Sequence, residues 1–181
     1  WGVVGEVSRT LMPKASASGL SLMSDVAIDV PPFITGDAQR IRQILLNLVG
    51  NAVKFTPNGL VQVHVSLDTQ RDVDSTQVPG APPKFVLKVA VQDNGCGMDA
   101  ETLATATYAY VHASRNVGGG SGIGLHVAKT IVEQYGGRLK LESPGPGLGS
   151  TVSFTMVLQG ASDREIAVAL ISDDDAESSV T

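Results

Sequence analysis

Ile41-Arg42-Gln43-Ile44-Leu45-Leu46-Asn47-Leu48-Val49-Gly50-Asn51-Ala52-Val53-Lys54-Phe55-Thr56 is the stretch on which the reading of this chain turns. Asp37 just upstream has the chemistry of a helix N-cap. Ile41, Ile44, Leu45, Leu48, Ala52 and Phe55 then fall on one stripe, which predicts an amphipathic helix from Asp37 to Phe55. Pro57-Asn58-Gly59 ends it. Within the helix, Asn47, Asn51 and Lys54 recur at i, i+4 and i+7. At about 100° per residue they share one side, beside the apolar stripe rather than opposite it. A carboxamide oxygen is a hard donor suited to Mg²⁺, and a lysine ammonium can neutralise phosphate. A solvated helix face with two incidental asparagines is an equally good reading of this piece alone, although asparagine is a mediocre helix former.

The flanking sequence supplies the other elements. Residues 1–19 read as the end of a helix and a turn, with Val3, Val4, Val7 and Leu11 at roughly helical spacing and Pro13 and Gly19 interrupting it. Leu20 to Val30 predicts a strand. Val61, Val63 and Val65 alternate with polar residues, as do Phe85, Leu87, Val89 and Val91 with their neighbours, giving two half-buried strands joined across the polar loop 69–83. Asp99 to Thr107 predicts a short helix. Tyr108 to Gly122 is polar, glycine-rich and unpatterned, the composition of a flexible lid. Ile123 to Tyr135 is helical and stops at Gly136-Gly137. Arg138 to Glu142 and Thr151 to Leu158 close the set as strands.

Two more constellations carry chemistry. Asp93-Asn94-Gly95-Cys96-Gly97-Met98 follows a predicted strand. Its spaced glycines let backbone approach a ligand, and Asp93 can accept a hydrogen bond from an exocyclic amine such as that of adenine; an Asx turn is the plainer alternative. Gly118-Gly119-Gly120-Ser121-Gly122-Ile123-Gly124-Leu125 runs into a helix, where free N–H groups and the dipole favour an anion. No Gly-Lys-Ser/Thr follows, so it is not a Walker loop. Gly147-Leu148-Gly149-Ser150-Thr151 alone is no more than a hairpin turn.

In this order the four pieces resemble the N box and three glycine boxes of the ATP-binding catalytic domain of sensor histidine kinases, over about Trp1 to Leu158. The resemblance implies the ATP-binding fold shared with gyrase, mismatch-repair ATPases and heat-shock chaperones (the Bergerat type). That is an α/β (α+β) two-layer sandwich, its mixed, mostly antiparallel sheet covered on one face by helices. It further implies ATP and Mg²⁺ as cofactors, with Asn51 as the metal ligand. Asn47 matches the position of a catalytic or polarising side chain, Lys54 would contact phosphate, and Arg115 matches a lid residue that approaches phosphate. Asp93 would read the adenine amine, with Gly95, Gly97 and Met98 beside the base. Gly120, Ser121, Gly122, Ile123, Gly124 and Leu125 would wrap the triphosphate, and Thr151 would sit near the base. The family's phenylalanine box is degenerate here, with Tyr108 and Tyr110 in place of its aromatics and Tyr110 taken as a nucleotide contact. That departure puts lid closure and catalysis in question more than binding, and leaves a catalytically weakened nucleotide-binding or interaction module as the second reading. Asparagine at position 47, where gyrase-like and chaperone ATPases carry a glutamate base, speaks against those branches.

The family keeps its phospho-acceptor in a helical dimerisation module upstream, in a Ser-His-Glu type motif. His64, His112 and His126 lack that context, and His64 reads as a surface residue. The chain is therefore expected to act on a histidine of a separate module of a homodimeric parent, with a response regulator or receiver domain downstream. Three segments are expected: 1–19 as upstream helix and linker, 20–160 as the catalytic domain, and 161–181 as a linker or the start of a receiver-like domain. An acidic tail fits that last segment as well.

Composition narrows the classes. Charged residues make up 17% and hydrophobic ones 43%, too apolar for disorder. A net charge of −5 lacks the basic footprint of nucleic-acid binding. Cys96 is the sole cysteine, so no intrachain disulfide can form, which suits a reducing compartment. No run approaches a spanning helix and no signal peptide opens the chain, so a cytoplasmic fragment of a longer protein is expected.

Overall fold

A computed structural model describes residues 2–69, 83–112 and 123–162, with the side chains of residues 109–112 outside the description. Four helices and six strands are present among the described residues: α1 (Gly2–Ala17), β1 (Leu20–Val26), β2 (Ile34–Thr35), α2 (Ala38–Phe55), β3 (Gly59–Leu67), β4 (Lys84–Asp93), α3 (Ala100–His112), α4 (Ile123–Gln134), β5 (Leu139–Glu142) and β6 (Ser150–Gly160). The sheet runs β1-β3-β4-β6-β2, with β5 also on β6. Only β1 and β3 pair in parallel; the others are antiparallel. The long β6 shares one flank end to end, pairing β5 through Thr151–Phe154 and β2 through Gln159–Gly160.

The period of two sorts the strands into faces. Leu20 and Leu22, Val61, Val63 and Val65, Leu87, Val89 and Val91, and Phe154, Met156 and Leu158 form one apolar layer. Against it lie Ile44, Leu45, Leu48, Val49, Ala52 and Val53 of α2, Ala128, Ile131 and Val132 of α4, and Val4, Val7 and Ala15 of α1. The opposite face carries exposed Gln62, His64, Lys88 and Gln92. The result is the expected two-layer sandwich with helices on one side. Each large aliphatic side chain buried in this layer contributes about 1.5–3 kcal/mol.

Local chemistry sets the element ends. Asp37 caps α2 as read, its Oδ1 accepting from Gln39 N at 2.9 Å and Arg40 N at 3.1 Å. Asp99 does the same for α3, accepting from Thr102 N at 2.7 Å; the Thr102 hydroxyl first, and then that N–H, hold its carboxyl below the ordinary value. The Glu6 carboxylate pairs with the Arg42 guanidinium and ties α1 to α2.

The structure departs from the sequence reading in four places. α1 passes through Pro13 and ends at Ala17, since packing of Val4, Val7 and Ala15 outweighs the proline penalty in a terminal turn. The strand expected over Leu20–Val30 stops at Val26; Ala27 N still donates to Val65 O of β3 at 2.8 Å, and Val30 N then donates to Ala27 O at 3.1 Å in a turn. β2 had no sequence signal, because its two residues are ordered by pairing with the end of β6. α3 continues beyond Thr107 to His112, taking in the first residues assigned to the lid; its alanine-rich sequence favours that extension.

Candidate nucleotide site

α2 presents Leu48, Asn51, Ala52 and Phe55 to a cavity of about 270 Å³. Their i, i+3, i+4, i+7 spacing is one helix face. Across from them stand Val91 and Asp93 of β4, Ser150 and Val152 of β6, and Leu141 of β5. Cys96, Gly97 and Met98 close one side, Thr102 and Ala106 of α3 and Leu125 of α4 the other. Most of the lining is apolar, so the few polar groups determine what can be recognised there.

Asp93 is the central one. Its Oδ1 accepts from Gly95 N at 2.9 Å and from Ser150 N at 3.3 Å. Burial pushes its carboxyl above the ordinary aspartate value, while those two N–H groups and the Thr56 hydroxyl favour the charged form. A half-desolvated acceptor at the wall of an apolar cavity suits a donor from a flat, polar-edged ligand.

The turn after Asp93 is held by its neighbours. Cys96 N donates to Phe55 O at 3.1 Å, Leu60 N to Asn94 Oδ1 at 2.8 Å, and Met98 N to Ser143 Oγ at 2.8 Å. The Ser143 hydroxyl in turn donates to Gly149 O at 2.8 Å. Gly95 and Gly97 have a packing reason to be glycine. A Cβ at Gly95 would lie 2.2 Å from Phe55 O, and one at Gly97, where φ is +60°, would lie 2.1 Å from Gly145 O. Contact with protein backbone therefore already demands both, whatever ligand sits beyond.

Asn51 lines the cavity, exposed. Asn47 lies one turn earlier, its Oδ1 3.2 Å from where a Gly124 Cβ would be, so α2 and the first turn of α4 meet there. Lys54 holds its Nζ 4.9 Å from the centroid of the Phe55 ring. Leu125 lines the cavity, and Ile123 is exposed at the start of α4. Thr151 does not belong to the lining: Ser150 and Val152 on either side of it do, and strand alternation puts Thr151 on the other face of β6. Phe55 was placed on the buried stripe but is 41% exposed, forming cavity wall. Tyr110 falls within α3, its side chain outside the description, and Arg115, Gly120, Ser121 and Gly122 lie outside the described residues. His64 is exposed on the surface as expected, and its Nδ1 pairs with the Asp25 carboxylate, which is held below its ordinary value chiefly by that bond. Among the described residues, no three His, Cys, Asp or Glu side chains converge as a metal cluster, and no helix is long and apolar enough to cross a membrane.

A helix-covered sheet with a half-buried carboxylate and a carboxamide on one cavity is an α+β sandwich with a polar-edged pocket beside α2. The family described as histidine kinase-, DNA gyrase B- and HSP90-like ATPase matches residues 36–160, and the chain belongs to it. It is 34% identical over 159 residues to the sensor protein GacS of Pseudomonas syringae pv. syringae, covering 86% of this chain and 16% of that protein. It is also 34% identical over 150 residues to the sensor histidine kinase GacS of Pseudomonas protegens, covering 81% and 15%. The chain thus spans about a sixth of the length of these relatives. Among solved structures it superposes on full-length ShkA in complex with AMPPNP with a TM-score of 0.68 at 27% identity, over 89% of this chain and 30% of that one. The mycobacterial sensor histidine kinase MprB shares the fold, with a TM-score of 0.58 at 20% identity over 86% and 93%. The chain is accordingly an ATP-binding domain of the sensor-kinase type.

Proposed function

We propose that residues 20–160 bind Mg·ATP in the cavity beside α2 and donate its γ-phosphate to a histidine on a separate dimerisation module, as one step of two-component signalling. The observation that carries the reading is Asp93, a half-buried carboxylate on the wall of an apolar cavity whose opposite wall carries Asn51. Asp93 accepts from the adenine amine, and Val91, Leu125, Leu141 and Val152 shelter the base. The donor set fits Mg²⁺ held in the usual way, by one or two protein oxygens together with phosphates and water. Asn51 would hold it, and the bound ion would offset charge developing on the phosphates.

The chain's own residues orient the rest. Asn47 sits where α2 meets the first turn of α4, placing a carboxamide beside backbone N–H groups suited to phosphate oxygens. Lys54, one turn beyond Asn51, swings from the Phe55 ring to phosphate, and Arg115 adds a second positive charge. In the transfer an imidazole nitrogen of the partner histidine attacks the γ-phosphorus. The bond to the β–γ bridging oxygen breaks, ADP leaves, and the imidazole loses its N–H proton to solvent. The parent is then a cytoplasmic-facing homodimer with a response regulator or receiver domain as the next acceptor, and residues 161–181 lead toward such a unit.

Calorimetric titration with ATP, with and without Mg²⁺, on this chain and on Asn51→Ala tests the reading. Binding that strengthens with Mg²⁺ and loses that gain in the variant supports it, and transfer to the parent's histidine module in trans would complete it. Mg²⁺-dependent binding without transfer leaves the nucleotide-binding module. No binding under any condition contradicts both.

A further inference from the structure

Thr56 is the one fully buried polar side chain among the described residues, and its hydroxyl makes no hydrogen bond. Leaving a buried hydroxyl unpaired is costly, whereas valine in the same volume would carry no such penalty. The side chain is wedged between two tight turns. Its methyl carbon Cγ2 lies 3.2 Å from where a Cβ of Gly59 would sit, and its Oγ1 lies 2.6 Å from where a Cβ of Gly95 would sit. The hydroxyl therefore faces the turn whose N–H, from Gly95, holds Asp93 Oδ1. The methyl faces the start of β3. The same hydroxyl favours the charged form of the Asp93 carboxyl, so it lies near enough to be felt there.

We propose that Thr56 is a positioning residue for base recognition: its hydroxyl donates to the Asp93 carboxylate when a ligand's amine engages that carboxylate, fixing the acceptor's orientation and charge. This rests on the reading of the cavity as an adenine nucleotide site. Two backbone donors converge on Oδ1, and both come from segments held by other bonds. A third donor from the end of α2 couples the acceptor to the helix that carries Asn51, so that the base end and the metal end of the site share one rigid element. The cost of the orphan hydroxyl in the ligand-free protein is recovered when the bond forms.

The test uses ATP, with GTP as the control base, titrated calorimetrically into the whole chain as wild type, Thr56→Val and Thr56→Ser, over a range of pH. Binding needs the charged carboxylate and is lost as pH falls through the Asp93 titration. Removing a donor to that charged form raises the titration further, so the acid limb of ATP binding moves to higher pH in Thr56→Val. The expected loss of ATP affinity at neutral pH is about tenfold, one hydrogen bond to a charged group, while Thr56→Ser keeps the wild-type limb. Should valine disturb packing, as thermal melting would reveal, Thr56→Ala compared with Thr56→Ser carries the same contrast. Wild-type affinity and an unmoved acid limb in the valine or alanine variant would overturn the assignment while leaving the nucleotide site intact. Failure of the wild type to prefer ATP over GTP would instead overturn the adenine reading, and this inference with it.

Discussion

Two cavities of similar size lie along α2 among the described residues. One, of about 270 Å³, opens between α2, α3 and α4. The other, of about 200 Å³, lies toward the opposite end of α2, between α1 and the β2 region. Both draw on α2 and on the apolar face of β4, which gives Val91 to the first and Leu87 and Val89 to the second. The second is lined by Val3, Val4, Phe33, Ile34, Ile41 and Leu45 and their apolar neighbours, with no side chain that can hydrogen-bond. The first adds Asn51, Asp93, Thr102, Cys96 and Ser150 to a similar apolar shell. Volume alone does not make a recognition site. A few polar groups on rigid elements do, and here they converge at one end of α2 only.

Substitutions at the two cavities should separate stability from binding. Leu45 is buried between α2 and the second cavity. Leu45→Ala should lower stability by about 3 kcal/mol in chemical denaturation, yet leave the ATP affinity of the folded protein unchanged. A large loss of affinity would mean that the two ends of α2 are not independent. Asp93→Asn should reverse the pattern, reducing ATP affinity about a hundredfold, roughly 2.7 kcal/mol.

The pH dependence follows from the raised Asp93 titration. Because burial lifts the folded value above the unfolded one, the fold favours the protonated acid. The ligand-free protein therefore loses a little stability as pH rises from the unfolded to the folded value. ATP affinity moves the other way, falling as pH drops through the folded value, so the loss begins above the ordinary aspartate range. Melting and titration across mildly acidic pH would check both signs, and Asp93→Asn should abolish both trends.

The smallest effect belongs to the exposed Asp25–His64 pair on the open face of β1 and β3. Asp25→Asn should cost no more than about 0.5 kcal/mol, screened by solvent. The Asp25 carboxyl is lowered in the fold, so its contribution is present above the unfolded value and vanishes as pH falls through the folded one.

The helical and strand pattern was legible where one period ran uninterrupted. The stripe from Ile41 to Leu48, the Asp37 cap and the alternation in β3 and β4 all stand where their chemistry put them. What local pattern could not carry was structure ordered from outside: β2, which exists through its register with Gln159 and Gly160, and the helix through Pro13. Within the site, Asp93, Gly97, Met98 and Asn51 were visible as motif residues and line the cavity. Thr102 and Ala106 were not, since nothing in an alanine-rich helix announces which face meets a ligand. Ser150, one residue before the candidate Thr151, lines the cavity, because strand alternation turns Thr151 to the other face. The parity of Val152 and Phe154, both pointing to the core side, was the available signal. Thr56 looked like the end of a motif and proved to be a buried hydroxyl under the Asp93 turn.

The most direct test is to ask which cavity takes the nucleotide. In a heteronuclear NMR titration with AMPPNP and Mg²⁺, shift changes are expected at Leu48, Asn51, Asp93, Met98 and Leu125, with Val4, Phe33 and Ile41 unmoved. Shifts confined to the second cavity, or none at saturating nucleotide, would contradict the proposed site.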